Sequence, residues 1–517
     1  MLGRTLRTPR LRRVELAFAG FSLAEYGVWT AILVYAYERG GTTAAGLIAV
    51  VQLVPAALVA PFAATLADRR GGTFALKLGY IAQALTMGAT AAIMLTGGPA
   101  LTAYAFAVAA AVAVTLTRPA QAKVLSALAD EPADLTAATA VASWIESSST
   151  LAGPALAGIF LALDGPGAVF AVFAPTVAAS ALLVATLTAG PGLTEDRPSA
   201  AEESGGALDG IRILRHERPA RALVLLIAAE HVAIGALDVL VVVLAISALG
   251  LGSSAAGYLN AAFGAGATVG GFAALALAGT RTMAIPLLGG ALGWAAAYAV
   301  LGAWQTTAGA FVLLPLAGIG KAVLDSAGRA LLARITPHEV LARVFGVLEG
   351  LVMAALALGS LLVPILVALG GVAAALLGIA AILALAALSP MASLRRLDRF
   401  VPPAHALSLI QANSLFTALP PAVIETLATQ LVRVPVRAGE VVIREGDRGD
   451  RFYLISEGEL EISVAGERIR TRHPGEGVGE IALLRDILRT ATVTASTHAV
   501  LYALEREPFL DALRPAL

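Results

Sequence analysis

Apolar stretches long enough to cross a bilayer follow one another from Val14 to Met391, separated only by short breaks rich in Gly, Pro or charge. A helix rises about 1.5 Å per residue, so roughly 20 residues cover a ~30 Å hydrocarbon core. No water is available there to satisfy a free amide, and a helix satisfies its own. The pattern predicts twelve spans, at roughly 14–37, 43–66, 73–96, 100–122, 135–163, 167–189, 221–249, 254–279, 282–303, 306–333, 340–369 and 371–391. The longest are expected to tilt or to project beyond the bilayer.

Composition agrees. The chain is 58% apolar and 14% charged, against about 45–50% and about 25% for soluble chains, which excludes a soluble enzyme, a disordered tail protein and a collagen-like rod. The 36 basic and 36 acidic residues cancel, which argues against a nucleic-acid-binding surface, but they are unevenly spread, with 45 charges in residues 1–400 and 27 in the last 117. Lipid is the expected solvent for the first part and water for the second. There is no Cys, hence no disulfide framework and no thiolate metal site; no metal is expected.

Arg4, Arg7, Arg10, Arg12 and Arg13 precede the first span, as in a signal peptide, but its length and Glu25 mark it as a retained helix. Arg69 and Arg70 follow the second span, Arg197, Arg212, Arg215, Arg218 and Arg221 lie between the sixth and seventh, Arg281 follows the eighth, and Arg395, Arg396 and Arg399 follow the twelfth. The alternate loops hold Arg39 alone. This bias predicts a multi-pass protein of the inner (plasma) membrane with both termini and the middle loop in the cytoplasm.

Gly41-Thr-Thr-Ala-Ala-Gly-Leu47 recurs as Gly252-Ser-Ser-Ala-Ala-Gly-Tyr258, and Pro132-Ala-Asp-Leu recurs in type as Pro337-His-Glu-Val. Between the copies lies a polar linker, Pro191 to Gly210. Two six-helix halves are expected, with domains at 1–190, 191–220 (linker), 221–400 and 401–517. Residues 64–73, containing Leu66-Ala-Asp68-Arg69-Arg70-Gly71, are similar to the signature loop of major facilitator superfamily transporters, with Ala64 in place of the first Gly. Gly153-Pro154-Ala-Leu-Ala157-Gly158 resembles an element of that family's exporters, with Ala157 for a Gly, and the segment from Gly210 resembles a linker helix of its drug and siderophore exporters. The resemblance covers about 380 residues and implies a conformational latch at Asp68, Arg69 and Gly71, the alternative being an ordinary cytoplasmic loop that obeys the positive-inside bias.

Ionised groups at bilayer depth are costly, by at least ~2.5–3.5 kcal/mol on insertion scales, and normally face a partner or a watery cavity. Glu25, Glu146, Glu230, Asp238, Lys321, Asp325, Arg329 and Glu349 all fall within spans. Lys321, Asp325 and Arg329, at i, i+4 and i+8, form a ladder on one helical face. Glu25, Glu230 and Asp238 have no cation nearby on their own helices and are the proton-coupling candidates; buried pairing or solvation at a helix end are the alternatives. His231 reads as a structural residue.

After Pro402-Pro403 the period changes. Leu407 to Phe416 and Pro421 to Leu431 read as amphipathic helices, and alternating runs beginning at Val441, Arg451, Glu459, Thr490 and Ala499 read as strands of a small β-roll. The fold class is therefore a mostly α membrane protein with a C-terminal cytoplasmic β-roll and flanking helices. Gly439 to Asp447, Asp450 to Gly458 and, above all, Gly479-Glu480-Ile481-Ala482-Leu-Leu-Arg-Asp-Ile-Leu-Arg489-Thr490-Ala491 resemble the turns and phosphate cassette of cyclic-nucleotide-binding domains. That resemblance implies cAMP or cGMP as regulatory ligand. Arg489 would hold the cyclic phosphate with a fork-shaped donor set, Glu480 would accept from the ribose 2′-OH, and Gly479 would admit close backbone approach. Amides of a short helix starting near Ile481-Ala482 would face the phosphate, and Thr490, where the family also uses Ala or Ser, keeps cGMP open. Leu488 departs from a frequent Pro, and Asp486 adds a negative charge to the loop. A degenerate domain with Glu480 and Arg489 ion-paired is the competing reading. The sequence stops soon after Glu507 to Leu513, so a cytoplasmic loop or the second subunit of a homodimer is expected to cover the base.

The expected activity is proton-coupled secondary transport, as an exporter of a small amphipathic molecule biased by cyclic nucleotide. No ATP-type phosphate loop is present, and the protein is not expected to be an enzyme. A non-transporting sensor and a lipid or lysolipid flippase are the alternatives. Arg395 to Pro403 would be the connector through which the roll acts on the last helix.

Overall fold

The computed structural model describes residues 8–129, 132–187, 217–277, 283–336, 338–389, 404–416 and 421–513, with 212, 214, 391 and 419. The linker from Pro191 to Gly210, Arg197, Arg215, Arg281, Pro337 and the connector Arg395 to Pro403 lie outside them. The chain divides into two compact units, Met1–Leu394 and Arg395–Leu517.

The first unit is helical: α1 Pro9–Arg70, α2 Gly72–Leu95, α3 Ala100–Leu128, α4 Pro132–Ala185, α5 Arg218–Val243, α6 Ser253–Leu277, α7 Ala284–Ala303, α8 Thr307–Ile335 and α9 His338–Leu388. A π-helical turn, Leu244–Ala248, prolongs α5. Among the described residues eight helical runs are long and apolar enough to cross a membrane. Three of the helices are broken inside, at Gly40-Gly41, Asp164-Gly165 and Gly370-Gly371. Each break places a glycine at φ between 63° and 73° with ψ between −156° and −167°, a region essentially closed to other residues. The first two fall in gaps between predicted spans; the third starts one residue before the predicted twelfth span.

Helices meet through small residues, as association in lipid favours. A methyl on Gly235 would overlap the Leu356 carbonyl, one on Gly359 the Val232 carbonyl, and one on Gly318 the Phe263 carbonyl. These seams leave each apolar face against another backbone instead of against side chains.

The second unit begins with α10 Ala404–Ala412 and α11 Pro421–Gln430. The first helix ends four residues earlier than its apolar pattern suggests, because the Asn413 carboxamide accepts from Leu415 N at 3.1 Å and turns the chain. Strands β1 Val432–Val436, β2 Val441–Ile443, β3 Arg451–Glu457, β4 Leu460–Val464, β5 Glu467–Arg472, β6 Gly477–Val478, β7 Thr492–Ala495 and β8 Ala499–Glu505 form two four-stranded sheets, ordered β1-β8-β3-β6 and β2-β7-β4-β5. A one-turn helix, α12 Glu480–Leu484, lies between β6 and β7, and α13 Arg506–Leu513 closes the fold. Strands β1 and β5 are sheet edges, which explains why neither stands out in the sequence: β1 tolerates Pro435 and β5 is mostly charged. The stacked rings of Phe452 and Phe509, 4.9 Å apart, with Phe416 set edge-on at 5.7 Å from Phe452, join helices to sheet.

Glu476 organises the β5–β6 turn. It accepts from Arg472 Nη1 at 2.6 Å and from the His473 backbone N at 2.7 Å. Partial burial would raise its pKa, but the His473 amide and the Arg472 and Arg470 guanidinia outweigh it and hold the carboxyl below its usual range. A lowered folded pKa contributes stability above the unfolded value, near 4.3, and that stability is lost as pH falls through the folded value. Amide exchange across residues 472–477 of the whole protein is therefore expected to rise below about pH 4 relative to neighbouring strands. In Glu476→Gln that acid step should vanish; a step of equal size in the variant would refute the assignment.

Candidate functional site

Two ion-paired clusters form among the described residues of the helical unit. In the first, Arg118 of α3 bridges two carboxylates, 3.1 Å to Glu25 Oε2 on α1 and 2.7 Å to Glu146 Oε1 on α4. The Tyr26 hydroxyl donates to Glu146 at 3.4 Å. Glu25 is therefore paired, by a cation its own helix does not supply. In the second group, Asp325 lies 3.9 Å from Lys321 and 2.8 Å from Arg329, while Arg329 reaches Glu349 at 2.7 Å. The i, i+4, i+8 ladder stands as its spacing predicts, with Glu349 of α9 as a fourth member.

Glu230 is fully buried and neither carboxyl oxygen has a hydrogen-bond partner; the charges acting on it are Asp325, Lys321 and Arg329. His231 donates from Nδ1 to the Ile227 carbonyl at 2.8 Å, a local bond that suits a structural residue. Asp238 is half-buried with the Trp29 indole as hydrogen-bond neighbour. At the latch sequence, Arg69 and Arg70 are exposed and Gly71 turns the chain at φ 85°; the Asp68 side chain lies outside the described residues. Gly158 of the exporter-like element meets Gly257 of α6 so closely that a Cβ on Gly257 would stand 2.5 Å from Gly158 Cα. Among the described residues no three His, Asp or Glu side chains converge to hold a metal ion.

In the β unit the cassette residues assemble around Arg489, whose side chain is 4% exposed. Its Nη1 donates to the Gly479 carbonyl at 2.9 Å, and its Nη2 donates to the Arg451 carbonyl at 2.7 Å and to Asp450 Oδ1 at 3.3 Å. The expected alternative pairing of Arg489 with Glu480 is not formed; Asp450 takes that place. Gly479 has φ 94°, and a Cβ there would stand 2.5 Å from Arg489 Nη1, so both backbone and space require glycine. The short helix starts at Glu480, slightly earlier than expected, with Gly479 in a left-handed conformation as the residue before it. Ala482 is buried, Glu480 and Ala491 are half-buried, and Ile481 and Thr490 are exposed. The Asp486 charge is met by Arg506, which also donates to the Gly449 carbonyl at 3.2 Å. Arg489 N donates to the Asp447 carbonyl at 2.8 Å and Gly446 N to the Arg489 carbonyl at 2.9 Å, fixing the cassette against the turn before β3.

These geometries can be set beside known families. The Major Facilitator Superfamily model matches residues 15–316, more than half of the chain. The chain belongs to the major facilitator superfamily. This major facilitator protein carries a second match over residues 433–515, to the cyclic nucleotide-binding domain, so the fusion expected from the sequence is present. It is 42% identical over 93 residues to a cAMP-dependent protein kinase regulatory subunit of Yarrowia lipolytica, covering 18% of this chain and 25% of that one. It is 36% identical over 100 residues to the cGMP-dependent protein kinase egl-4 of Caenorhabditis briggsae, covering 19% and 13%. A structure of the regulatory domain of Toxoplasma gondii PKA with cAMP aligns at 30% identity over 22% of this chain and 45% of that one, with a TM-score of 0.21. The chain thus spans a quarter or less of the length of these two curated relatives.

Sequence reasoning missed Arg118, Tyr26, Asp450 and Arg506. Arg118 carried a signal, a lone cation inside an apolar span, and its partners Glu25 and Glu146 stood out as intramembrane acids; nothing along the chain joined them to it across 93 and 28 residues.

Proposed function

We propose that this major facilitator protein is a proton-coupled exporter of a small amphipathic molecule whose cycle is biased by cAMP or cGMP bound in its C-terminal domain. One observation carries this reading: a major facilitator body and a cyclic nucleotide-binding domain occupy the same chain. Breaking three of the eight apolar runs at Gly41, Gly165 and Gly371 and adding Ser253–Leu277 gives twelve spans. Two six-helix halves fit a structural echo: Arg118 and Glu146 make a 2.7 Å pair, and so do Arg329 and Glu349. Arg329 follows Arg118 by 211 positions, the same offset that separates Gly41 from Gly252, and both of those glycines have positive φ.

Glu25, Glu146, Glu230, Asp238 and the Lys321–Asp325–Arg329 ladder supply titratable and charged groups for coupling. Arg489 and Glu480 are the phosphate and ribose contacts, and the basic loops put both termini in the cytoplasm. Nucleotide regulates only if it prefers one conformation, since equal affinity shifts nothing.

The test is flux from proteoliposomes containing the full chain. A cationic dye is expected to move against its gradient when a pH gradient is imposed, and 1 mM cAMP or cGMP should change the rate at least threefold. Dye flux indifferent to both would overturn the proposal. Movement of a fluorescent lysolipid alone would favour the flippase, and flux of neither compound would leave the sensor.

A further inference from the structure

A carboxyl group outside both charge clusters stands out. Glu15, near the start of α1, is 3% exposed, and among the described residues no group hydrogen-bonds either of its oxygens. It belongs to the inward stripe of α1, with Leu11, Val14, Phe18 and Phe21 all 3% exposed or less. The titratable group facing it from another element is Tyr80 of α2, which is fully buried with an equally unpartnered hydroxyl. Tyr80 is held there by Phe21, ring centroids 5.6 Å apart.

No cation answers Glu15 among the described residues. Arg12 and Arg13 are exposed, and Arg13 Nη1 faces Thr186, just past the end of α4, at 3.4 Å. On α3, Lys123 donates to the Ala67 carbonyl, and α4 places the hydroxyl of Ser180 beside Gly20. The faces of α2 and α3 carry further buried polar atoms without partners: Gln83 Oε1, Thr117 Oγ1 and Gln121 Nε2. On α1, Ser22, seven residues after Glu15 and also unpartnered, continues the same face toward Glu25. Ten residues of helix put Glu15 about 15 Å along the axis from Glu25.

A buried carboxylate with neither a cation nor a donor is strongly disfavoured, whereas a neutral carboxyl is tolerated and carries one donor of its own. We propose that Glu15 is a proton-holding site, protonated in this conformation, which passes its proton between the Glu25–Arg118–Glu146 cluster and the water at the Arg-rich end of α1. In release, the Glu15 O–H bond breaks and the proton goes to a water molecule admitted when α1, α2 and α3 separate. This inference rests on the proton-coupled reading for its role, but not for the protonation itself.

Infrared difference spectroscopy on the full chain in liposomes tests it. One carboxyl C=O band should persist at neutral pH, disappear in Glu15→Gln, and shift in frequency in Tyr80→Phe. Glu15→Gln should also slow pH-driven flux about tenfold while cAMP binding, which reports an intact protein, is unchanged. Superimposable neutral-pH spectra of wild type and Glu15→Gln would overturn the site, whatever the flux. A band that Glu15→Gln removes, in a protein whose flux ignores the pH gradient, would uphold the site and defeat the proton-coupled reading instead.

Discussion

Replacing Arg489 by alanine is expected to weaken binding of cAMP or cGMP to the full chain by about 100- to 1000-fold. Hydrogen bonds to charged groups contribute about 1.5–3 kcal/mol each, and loss of the guanidinium removes both a pair of such bonds and the one buried cation of the cassette. A total near 3–4 kcal/mol corresponds to that range. Structure adds a second cost. The carbonyls of Gly479 and Arg451 would lose their donor, so the loop that presents Glu480 should loosen as well. Arg489→Lys keeps the charge but not the fork and should fall between, about tenfold weaker. Calorimetry on the detergent-solubilised protein measures this; an alanine variant within threefold of wild type would remove Arg489 from the phosphate site.

The second large effect is expected at Arg118. Its side chain is 41% exposed and those of Glu25 and Glu146 are 24% and 38% exposed, so screening limits what the bridge adds to stability to about 1 kcal/mol. Transport is a different matter. Arg118→Ala removes the cation that holds both carboxylates, and gradient-driven flux is expected to fall roughly 100-fold, about 2.7 kcal/mol on the barrier at 1.36 kcal/mol per tenfold. Glu25→Gln keeps the Arg118–Glu146 pair and removes one titrating group, so its residual flux should no longer follow the pH gradient. Near-normal thermal stability in both variants would separate mechanism from folding. Gradient-driven flux within twofold of wild type in both would exclude the cluster from coupling.

How much could be read beforehand follows from how far each feature's parts lie apart along the chain. Apolar runs announce helices locally, and the Lys321–Asp325–Arg329 ladder is a matter of helical period, so both were legible. The cassette was legible because Gly479, Glu480 and Arg489 lie within eleven consecutive residues. Its partners were not: Asp450 and Arg506 arrive from the start of β3 and of α13 only when the sheets assemble. Arg118 shows the same limit, since nothing local ties it to α1 or α4. Glu15 is the instructive omission. It lies at the very edge of the first predicted span, just after five arginines, and only the tertiary packing of Phe21 and Tyr80 reveals that it is enclosed. Edge strands β1 and β5 escaped notice for the opposite reason, because strands with little to bury show little alternation.

The positive-φ glycines that interrupt α1, α4 and α9 are free of crowding: nothing lies within 4 Å of where a Cβ would stand on Gly41, Gly165 or Gly371. What bars an ordinary side chain at these corners is the handedness of the L-amino acid and not a lack of room. Mirror-image alanine would sit there without strain. Each corner is thus specified by stereochemistry and owes nothing to the surfaces around it.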